Sequence, residues 1–446
     1  MTFSADMTQG SVSGKIIRFT LPLLLGNLLQ QTYNIADTLI VGKFLGDDAL
    51  ASVGSTGSIT YLFYTLCIGL SIGSGIIVSQ YFGAKLYDKL RMTVFNSAAL
   101  TLAFGIVISV ISCIFARNIL TALDVPNDLL DGASQYMSIA CAGTVCIAAY
   151  NWINALMRAL GDSKTPLIFL AASCVMNILL DLLFVIKIGL GIKGAAAATV
   201  LSQGTSALMC IIYFFKKNPV AKLTKDDMTL NSNILLKCMA TGIPIAAQNG
   251  LISVSMVALQ SVTNSFGGEV MTAYTVSMRI EQFVQQPFSS LGAAEATFTG
   301  QNIGAGKNDR AIKGLRSSLK LSCGFAVAVM LLFFVFSKSL AGFFVSGEYS
   351  IDIASKALIM TSCFYVPLGM IHTIRGFLNG CGDTSYAIVN GMAEVITRIG
   401  LSLILTRISF IGFWGIWITT CATWVVTALV SILRYNGGKW KTKSKI

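Results

Sequence analysis

The chain has 446 residues, of which 54% are hydrophobic and only 12% are charged, with a mean hydropathy of +0.72. A soluble domain carries about 25% charged residues, so this composition excludes a soluble protein and indicates an integral membrane protein. The formal net charge of +12 then reflects how Lys and Arg are distributed across the membrane, and we expect no nucleic acid partner.

Histidine and cysteine usage argues against a metal centre. His372 is the only histidine, and the eleven cysteines are scattered, mainly through apolar segments, without a C-x-x-C pair. Unpaired cysteines pack as small hydrophobic residues among helices. We therefore expect free thiols, no structural metal and no cofactor. The first apolar run is too long for a signal-peptide core, so no cleavable signal is expected.

Charge-poor runs recur along the whole chain, and each is long enough to cross a bilayer, which takes about 20 residues. They do not alternate as the strands of a membrane β-barrel do, so each run predicts a helix. The predicted spans are twelve: 17–42, 53–82, 92–115, 133–156, 165–187, 193–215, 236–265, 271–299, 315–337, 354–378, 385–406 and 409–433.

The first span carries a single acid, Asp37, within its apolar run. A carboxylate at the bilayer centre costs roughly 2.5–3.5 kcal/mol on insertion scales. At helical spacing Gln30, Asn34 and Asp37 fall on or near one face, which must face protein or water rather than lipid. Pro22, near the start of the run, permits a bend there. The pattern indicates a functional acid.

The second half of the chain repeats the first at an offset of 221 or 222 residues. Pro244 follows Pro22, and Gly382-Asp383 follows Gly161-Asp162. Ordered matches across nearly the whole half indicate a duplication with six spans in each copy. Copies of six spans share one orientation, so their pseudo-twofold axis should lie along the membrane normal. The predicted domains are an N-lobe (1–215), a cytoplasmic connector (216–233) and a C-lobe (234–446).

Lys and Arg predict the orientation. If the N-terminus is inside, the cytoplasmic segments hold 23 basic residues and the outer segments hold seven. This asymmetry places both termini in the cytoplasm of a multi-pass cell (inner) membrane protein. The basic tail, 439–446, is then a topology signal that touches anionic lipid.

Spans 4 and 5 contain further polar residues. Asn177 and Asp181 are four residues apart on span 5, and no basic residue lies in the interior of the first-half spans to pair with Asp181 or Asp37. Span 4 adds Tyr150, Asn151 and Asn154. Two carboxyls with nearby amides can share a proton or bind a small cation through oxygen. The alternative is a hydrogen-bonded polar core in which the acids stay protonated.

The second half has its own buried charges. Glu394 and Arg398 are four residues apart on span 11 and should form a structural ion pair. Glu281 and Glu295 lie on span 8. Glu281 and the neighbouring Arg279 lie near the outer end of span 8, and a role in gating or substrate contact is an alternative for them. Glu295 lies deeper in the span, toward the cytoplasmic side. Prolines at 287 and 367 predict kinks in spans 8 and 10.

Two short motifs resemble those of nucleotide-binding proteins and of proteases, but a structural interpretation suits both better. The glycine-rich loop 300–307 lacks the Walker spacing after Lys307, so a helix end is the better interpretation. The Gly380-Cys381-Gly382-Asp383 stretch resembles an intramembrane aspartyl protease motif. Asp162, at the same position of the first half, favours a duplicated turn in which Asp caps the next helix.

Pro22, Asp37, Thr38 and Gly42 form a P-x₁₄-D-T-x₃-G pattern that resembles the first helix of multidrug and toxic compound extrusion (MATE) transporters. The stretches N-I-L-L-D (177–181) and G-I-K-G-A-A-A-A-T (191–199) are similar to that family too. Asp37 together with Asn-x₃-Asp resembles the DinF-like branch. The resemblance implies twelve helices in two six-helix lobes, a central cavity and export of organic cations driven by H⁺ or Na⁺. It implies cation-coupling residues Asp37, Asn177 and Asp181, with a partner at Asn154 or Asn151.

The expected protein is an α-helical transporter and not an enzyme, because no nucleophile–base constellation occurs. We expect a monomer that exports amphipathic, cationic drugs or toxins by alternating access, with H⁺ or Na⁺ as the coupling ion. A Na⁺ ion would bind at Asp37, Asn177 and Asp181. A flippase for lipid-linked saccharides is the alternative, although only Arg279 and Arg398 could meet a pyrophosphate. The candidate substrate-cavity residues are Gln30, Asn34, Tyr150, Gln248, Ser253, Met256, Glu281 and Glu295.

Overall fold

The computed structural model describes residues 6–122 and 125–444, and within them the chain is helical without a β-strand. The α-helices are α1 (Val12–Leu45), α2 (Asp47–Gly83), α3 (Tyr87–Ala122), α4 (Asn127–Ala142), α5 (Thr144–Ala159), α6 (Lys164–Asp181), α7 (Ile192–Lys217), α8 (Ser232–Asn264), α9 (Gly268–Gly304), α10 (Asn308–Gly342), α11 (Glu348–Ser362), α12 (Tyr365–Gly380), α13 (Tyr386–Leu405) and α14 (Gly415–Asn436). A π-helical turn, Leu182–Lys187, continues α6.

These helices supply the twelve predicted spans. Nine helical segments of the described chain are long and apolar enough to cross a membrane, and the bent pairs α4–α5 and α11–α12 each form one further span. The twelfth is α9, which is 37 residues long but more polar, since it contains Arg279, Glu281 and Glu295. The all-α, polytopic fold class is therefore confirmed.

The helix boundaries reproduce the internal repeat. Helices α5 and α12 begin and end 221 residues apart, and α3 and α10 begin 221 residues apart. The bends recur as well, at 43° between α4 and α5 and 53° between α11 and α12. The second bend falls at Cys363–Phe364, before Pro367, which lies in the first turn of α12 where proline is tolerated. Because the first copy has no proline at the equivalent place, the bend belongs to the repeat and not to Pro367.

Gly143 lies at the bend in the first copy. A Cβ atom at this position would lie 2.1 Å from Cγ2 of Val200 on α7, so only glycine allows this approach. The prolines at 22, 244 and 287 lie inside continuous helices.

The chain forms two compact units. The first comprises Leu21–Ala246, and the second comprises Met7–Thr20 and the described part of Ala247–Lys445. The division passes through α1 one residue before Pro22 and through α8 two residues after Pro244. Proline lacks an N–H group and so removes a helical hydrogen bond. Each of these two helices is therefore weakest close to the point where it changes unit.

The connector after α7 packs against α3 within the first unit. Arg91 Nε lies 2.8 Å from Asp227 Oδ2, and Asn231 N donates to Asn96 Oδ1 at 2.8 Å. Burial opposes ionisation of Asp227, but hydrogen bonds from Thr224 and Arg91 outweigh it and hold the pKa of this carboxyl below its usual range. The polar residues of the connector thus form the ion pair and the hydrogen bond that hold it against α3.

The N-terminal segment is anchored within the second unit. Met7 is 1% exposed, its N–H donates to Gln301 Oε1 at 2.9 Å, and its carbonyl accepts from Arg310 Nη2 at 3.2 Å. Lys307 Nζ donates to the carbonyl of Thr8 at 2.9 Å. The glycine-rich turn after α9 therefore binds the chain before α1, a contact that sequence reasoning missed.

Small residues set a close helix contact within the second unit. A Cβ at Gly376 would lie 2.2 Å from the carbonyl oxygen of Gly292, and a Cβ at Gly292 would lie 2.6 Å from that of His372. Such small-residue contacts let the backbones of membrane helices approach each other and gain van der Waals energy. They join α9 to α12 and hold the polar α9 inside this unit.

Candidate functional site

The two lone acids of the first half lie in contact. Asp37 is on α1, and Asp181 is the last residue of α6 and fully buried. The carboxyl groups interact directly with each other. Within the described part of the chain, no N–H or O–H group donates a hydrogen bond to Asp37 Oδ1 or to either side-chain oxygen of Asp181. Two adjacent carboxyls without donors cannot both be ionised cheaply, so the pair favours a shared proton or a bound cation.

Further oxygen-bearing groups surround this pair. Asn177, one turn before Asp181, has a buried Oδ1 without a donor, and its Nδ2 donates to Thr199 Oγ1 at 3.4 Å. Tyr33, one turn before Asp37, accepts a hydrogen bond from Gln203 at 3.4 Å. Tyr33 lies close enough to both acids to interact with their charges.

Tyr136 on α4 is also within electrostatic range of Asp37 and Asp181. We call this group the acid cluster; it comprises Tyr33, Asp37, Tyr136, Asn177, Asp181, Thr199 and Gln203. Four helices of the first unit, α1, α4, α6 and α7, contribute to it. Its chemistry is carboxyl, amide and hydroxyl oxygen, which suits a proton or a hard cation such as Na⁺.

The backbone changes its helical register at this place. Asp181 ends α6, and the π-helical turn Leu182–Lys187 follows at once. Single π-helical turns within helices occur frequently at functional sites. Asn177 and Asp181 therefore belong to the last regular α-helical turn before the change.

Sequence reasoning found three members of the acid cluster and missed four. It placed Asp37, Asn177 and Asp181 in one site, and the structure brings them together. Tyr33 could have been found from its four-residue spacing to Asp37, and Gln203 from the same spacing to Thr199. No sequence signal marked Tyr136.

The span-4 candidates are arranged differently. Asn154 is buried, with Oδ1 lacking a donor, and its side chain interacts with the hydroxyl of Tyr150. Asn151 donates to the carbonyl of Ile147 in its own helix at 2.9 Å. Of the two amides, Asn154 is thus the one with a buried oxygen that lacks a donor among the described residues. No hydrogen bond joins it to Asp37 or Asp181 in the described part of the chain.

Three candidate cavity residues of the second half differ in their hydrogen-bond partners. Gln248 donates to Asn390 Oδ1 at 2.8 Å. Glu295 accepts from Ser318 at 2.6 Å and Thr299 at 2.8 Å. Glu281 interacts with Thr361 and retains one oxygen without a donor.

The remaining cavity candidates are less constrained. Ser253 donates to its own helix at 3.0 Å, and Met256 is half-buried. Gln30 and Asn34 are exposed on α1, and Tyr150 is half-buried on α5.

Two turns that follow equivalent helices use their aspartates differently. Asp162 Oδ1 accepts from the N–H groups of Lys164 and Thr165 at 3.1 and 3.0 Å, which caps α6 as expected. Asp383 instead binds Arg434 through two hydrogen bonds of 2.8 and 2.7 Å. The predicted ion pair of span 11 is confirmed, because Arg398 Nη2 lies 2.9 Å from Glu394 Oε1.

The two copies of the repeat also match a known family separately. The MatE family model matches residues 22–183 and 244–404. The chain belongs to the multidrug and toxic compound extrusion (MATE) family. The resemblance found in the first helix and in span 5 is therefore confirmed.

Relatives and solved structures agree with this assignment. The chain is 30% identical over 440 residues to the probable multidrug resistance protein YpnP of Bacillus subtilis (strain 168), covering 98% of this chain and 97% of that protein. It is 29% identical over 444 residues to the probable multidrug resistance protein YoeA of the same strain, covering 98% and 96%. A crystal structure of MATE in complex with MaL6 matches with a TM-score of 0.92 at 23% identity, covering 98% of each chain.

The family establishes a membrane transporter of small molecules. These relatives are named for multidrug resistance, which does not favour the flippase alternative, and they are transporters rather than enzymes. The structural match confirms the twelve-helix, two-lobed fold.

Proposed function

We propose that this protein exports amphipathic, mainly cationic drugs or toxins by alternating access, driven by antiport of H⁺ or Na⁺. The observation that carries the coupling is the contact between Asp37 and Asp181, whose buried oxygens lack donors. Asn177 Oδ1 adds a third ligand of the same kind. These residues fit a Na⁺ ion or a shared proton without any further group.

The acid cluster joins α1 to α6, so its charge state should affect the position of α1. A cation taken up between the two carboxyls removes their repulsion and favours the arrangement in which α1 and α6 are close. Pro22 is the place where α1 can bend to accommodate this. Moving the protein from 1:99 to 99:1 between two states requires about a 10⁴-fold difference in cation affinity.

The same proposal includes the membrane setting and the cavity. The candidate cavity residues are Gln30, Asn34 and Tyr150 in the N-lobe (1–215) and Gln248, Ser253, Met256, Glu281 and Glu295 in the C-lobe (234–446). The excess of Lys and Arg supports cytoplasmic termini and a cytoplasmic connector in a bacterial cell membrane. The protein would work as a monomer.

Uphill dye efflux from proteoliposomes tests the proposal, first with a pH gradient alone and then with a Na⁺ gradient alone. We expect Asp37→Asn and Asp181→Asn to fold like wild type, to bind the dye and to lose gradient-driven efflux. Asparagine keeps the shape of the side chain but cannot take up a proton or carry a charge.

Asp227→Asn is the matched control, because it makes the same carboxyl-to-amide change at a buried position on the connector whose carboxyl already accepts hydrogen bonds from Thr224 and Arg91. It should retain efflux. Undiminished efflux in both Asp37→Asn and Asp181→Asn would remove the acid cluster from coupling. Loss of efflux in Glu295→Gln alone would transfer the role to the second unit.

A further inference from the structure

The second unit contains a counterpart of the acid cluster with the opposite charge. At the repeat offset, Leu259 corresponds to Asp37 and Ser402 to Asp181. Leu259 is 2% exposed within an apolar cluster, and Ser402 donates to the carbonyl of Ile399 in its own helix at 3.0 Å. Neither position supplies a negative charge to this place.

Arg398 occupies the counterpart of Asn177. Its guanidinium is 1% exposed, and Nη1 donates at 2.9 Å to Ser255, which is the counterpart of Tyr33. Nη2 donates to Glu394 at 2.9 Å, and Glu281 lies within electrostatic range. A buried cation therefore lies between α8 and α13, where the first unit has oxygens without donors between α1 and α6.

We propose that the Arg398 guanidinium is a permanent, covalently attached substitute for the exchangeable cation of the first unit. A guanidinium keeps its charge in proteins, and its tether prevents release. The second unit would thus stay in its cation-loaded arrangement, and one cation site per chain, the acid cluster, would exchange during transport. This inference rests on the proposed cation exchange at Asp37 and Asp181.

Chemical rescue tests the assignment of Arg398. Arg398→Ala should lower the yield of folded protein several-fold, because it leaves Glu394 and Ser255 without their partner. Millimolar methylguanidinium should restore much of that yield, whereas equal concentrations of methylammonium or Na⁺ should restore less. Arg279→Ala is the control, since Arg279 is an exposed arginine on α9; it should keep its yield and show no response.

Two results would overturn the assignment of Arg398. One is a failure of methylguanidinium to rescue Arg398→Ala more than methylammonium does. The other is the same rescue in Arg279→Ala. If Arg398→Ala gives too little protein, Arg398→Lys retains the charge, and Arg398→Met removes it with similar bulk. The lysine variant should then fold several-fold better than the methionine variant, and equal yields would refute the assignment.

Counting exchangeable cations tests the consequence in the wild-type protein. Uptake of ²²Na⁺ or protons by purified protein should reach one equivalent per chain and vanish in the Asp37→Asn/Asp181→Asn double variant. A second equivalent that persists in the double variant would overturn the inference. No uptake by wild type, together with rescue by methylguanidinium, would refute the proposed function of the acid cluster and support Arg398 as a structural cation.

A second, independent feature is a groove at the ends of α13 and α14. Its volume is about 510 Å³, and its walls include Val389, Val430 and Leu433. Val389 is 56% and Leu433 69% exposed, although both belong to membrane-spanning helices. Exposed apolar side chains on a membrane span contact lipid chains.

Cationic groups line the same groove. Arg434 and Lys439 contribute to it, and Lys441 and Lys443 follow in the tail. Asp383 accepts from Nε and Nη2 of Arg434, which leaves Nη1 and the Lys439 ammonium as donors. We infer that this groove binds one anionic phospholipid, with its chains along Val389 and Leu433 and its phosphate at Lys439.

Native mass spectrometry of the protein, released from nanodiscs with and without phosphatidylglycerol, tests this inference. Wild type should retain phosphatidylglycerol, and Lys439→Gln should lose most of it. Lys443→Gln has the same net charge but lies outside the groove, and it should retain the lipid. Equal loss in both variants would show a diffuse tail attraction and overturn the site. Displacement by millimolar inorganic phosphate would assign the groove to a free anion instead.

Discussion

Removing Glu394 should leave Arg398 as an uncompensated buried charge. The two groups are 2.9 Å apart, and their side chains are 9% and 1% exposed. At a charge separation of about 4 Å and an effective dielectric of about 20, their attraction is roughly 4 kcal/mol. Breaking a buried pair from one side typically costs about 3–5 kcal/mol. Glu394→Ala should therefore raise the unfolded fraction on the order of a thousandfold.

The assay is folded yield after size exclusion in detergent, together with thermal unfolding. The Glu394→Ala/Arg398→Leu double variant should recover most of the loss, because no charge remains buried. The pair Asp352–Lys356 is the matched control. It has the same four-residue spacing and a 2.7 Å contact, but its side chains are 47% and 61% exposed. Asp352→Ala should cost only about 0.2–1 kcal/mol.

Two outcomes would refute this reasoning. A double variant no better folded than Glu394→Ala would show that the buried charge is not the cause of the loss. An equal loss in Asp352→Ala would show that burial does not matter.

Two further predictions concern packing and pH. Gly376→Ala should strongly reduce folded protein, since the new methyl group would overlap the Gly292 carbonyl, whereas Gly400→Ala, with no atom within 4 Å, should not; equal yields on size exclusion would contradict this. The lowered pKa of Asp227 stabilises the fold above the unfolded-state value, and this stabilisation is lost as pH falls through the folded-state value. Asp227→Asn should flatten the acid side of the stability profile in thermal melts, and an unchanged profile would refute the role of this carboxyl.

The spans and the duplication could be predicted because hydropathy and repeated spacing are properties of the sequence alone. The bends could not be located in this way. A kink was expected at Pro367, but the helix breaks before this residue, between α11 and α12. The equivalent bend of the first copy, between α4 and α5, lies at Gly143 and involves no proline. The approach of Val200 to Gly143 joins residues far apart in sequence. A tertiary contact of this kind leaves no local pattern.

The members of the acid cluster that could be predicted from the sequence are those whose burial in a membrane span costs the most free energy. A lone carboxyl in an apolar span is conspicuous, so Asp37 and Asp181 were found separately and then placed together. Tyr33, Tyr136 and Thr199 were missed because a hydroxyl group is cheap to place in a membrane helix, where it can bond to its own backbone.

The contrast between the two copies then follows from one physical requirement. A polar site inside a membrane helix pair must be neutral overall, or close to it. In the proposed mechanism the first copy meets this by taking up a cation, because no basic residue of the described chain pairs with Asp37 or Asp181. The second copy meets it internally, because Arg398 and Glu394 lie on one helix face. In this proposal the same backbone repeat supports an exchangeable site in one unit and a closed one in the other, and only the first would respond to an ion gradient.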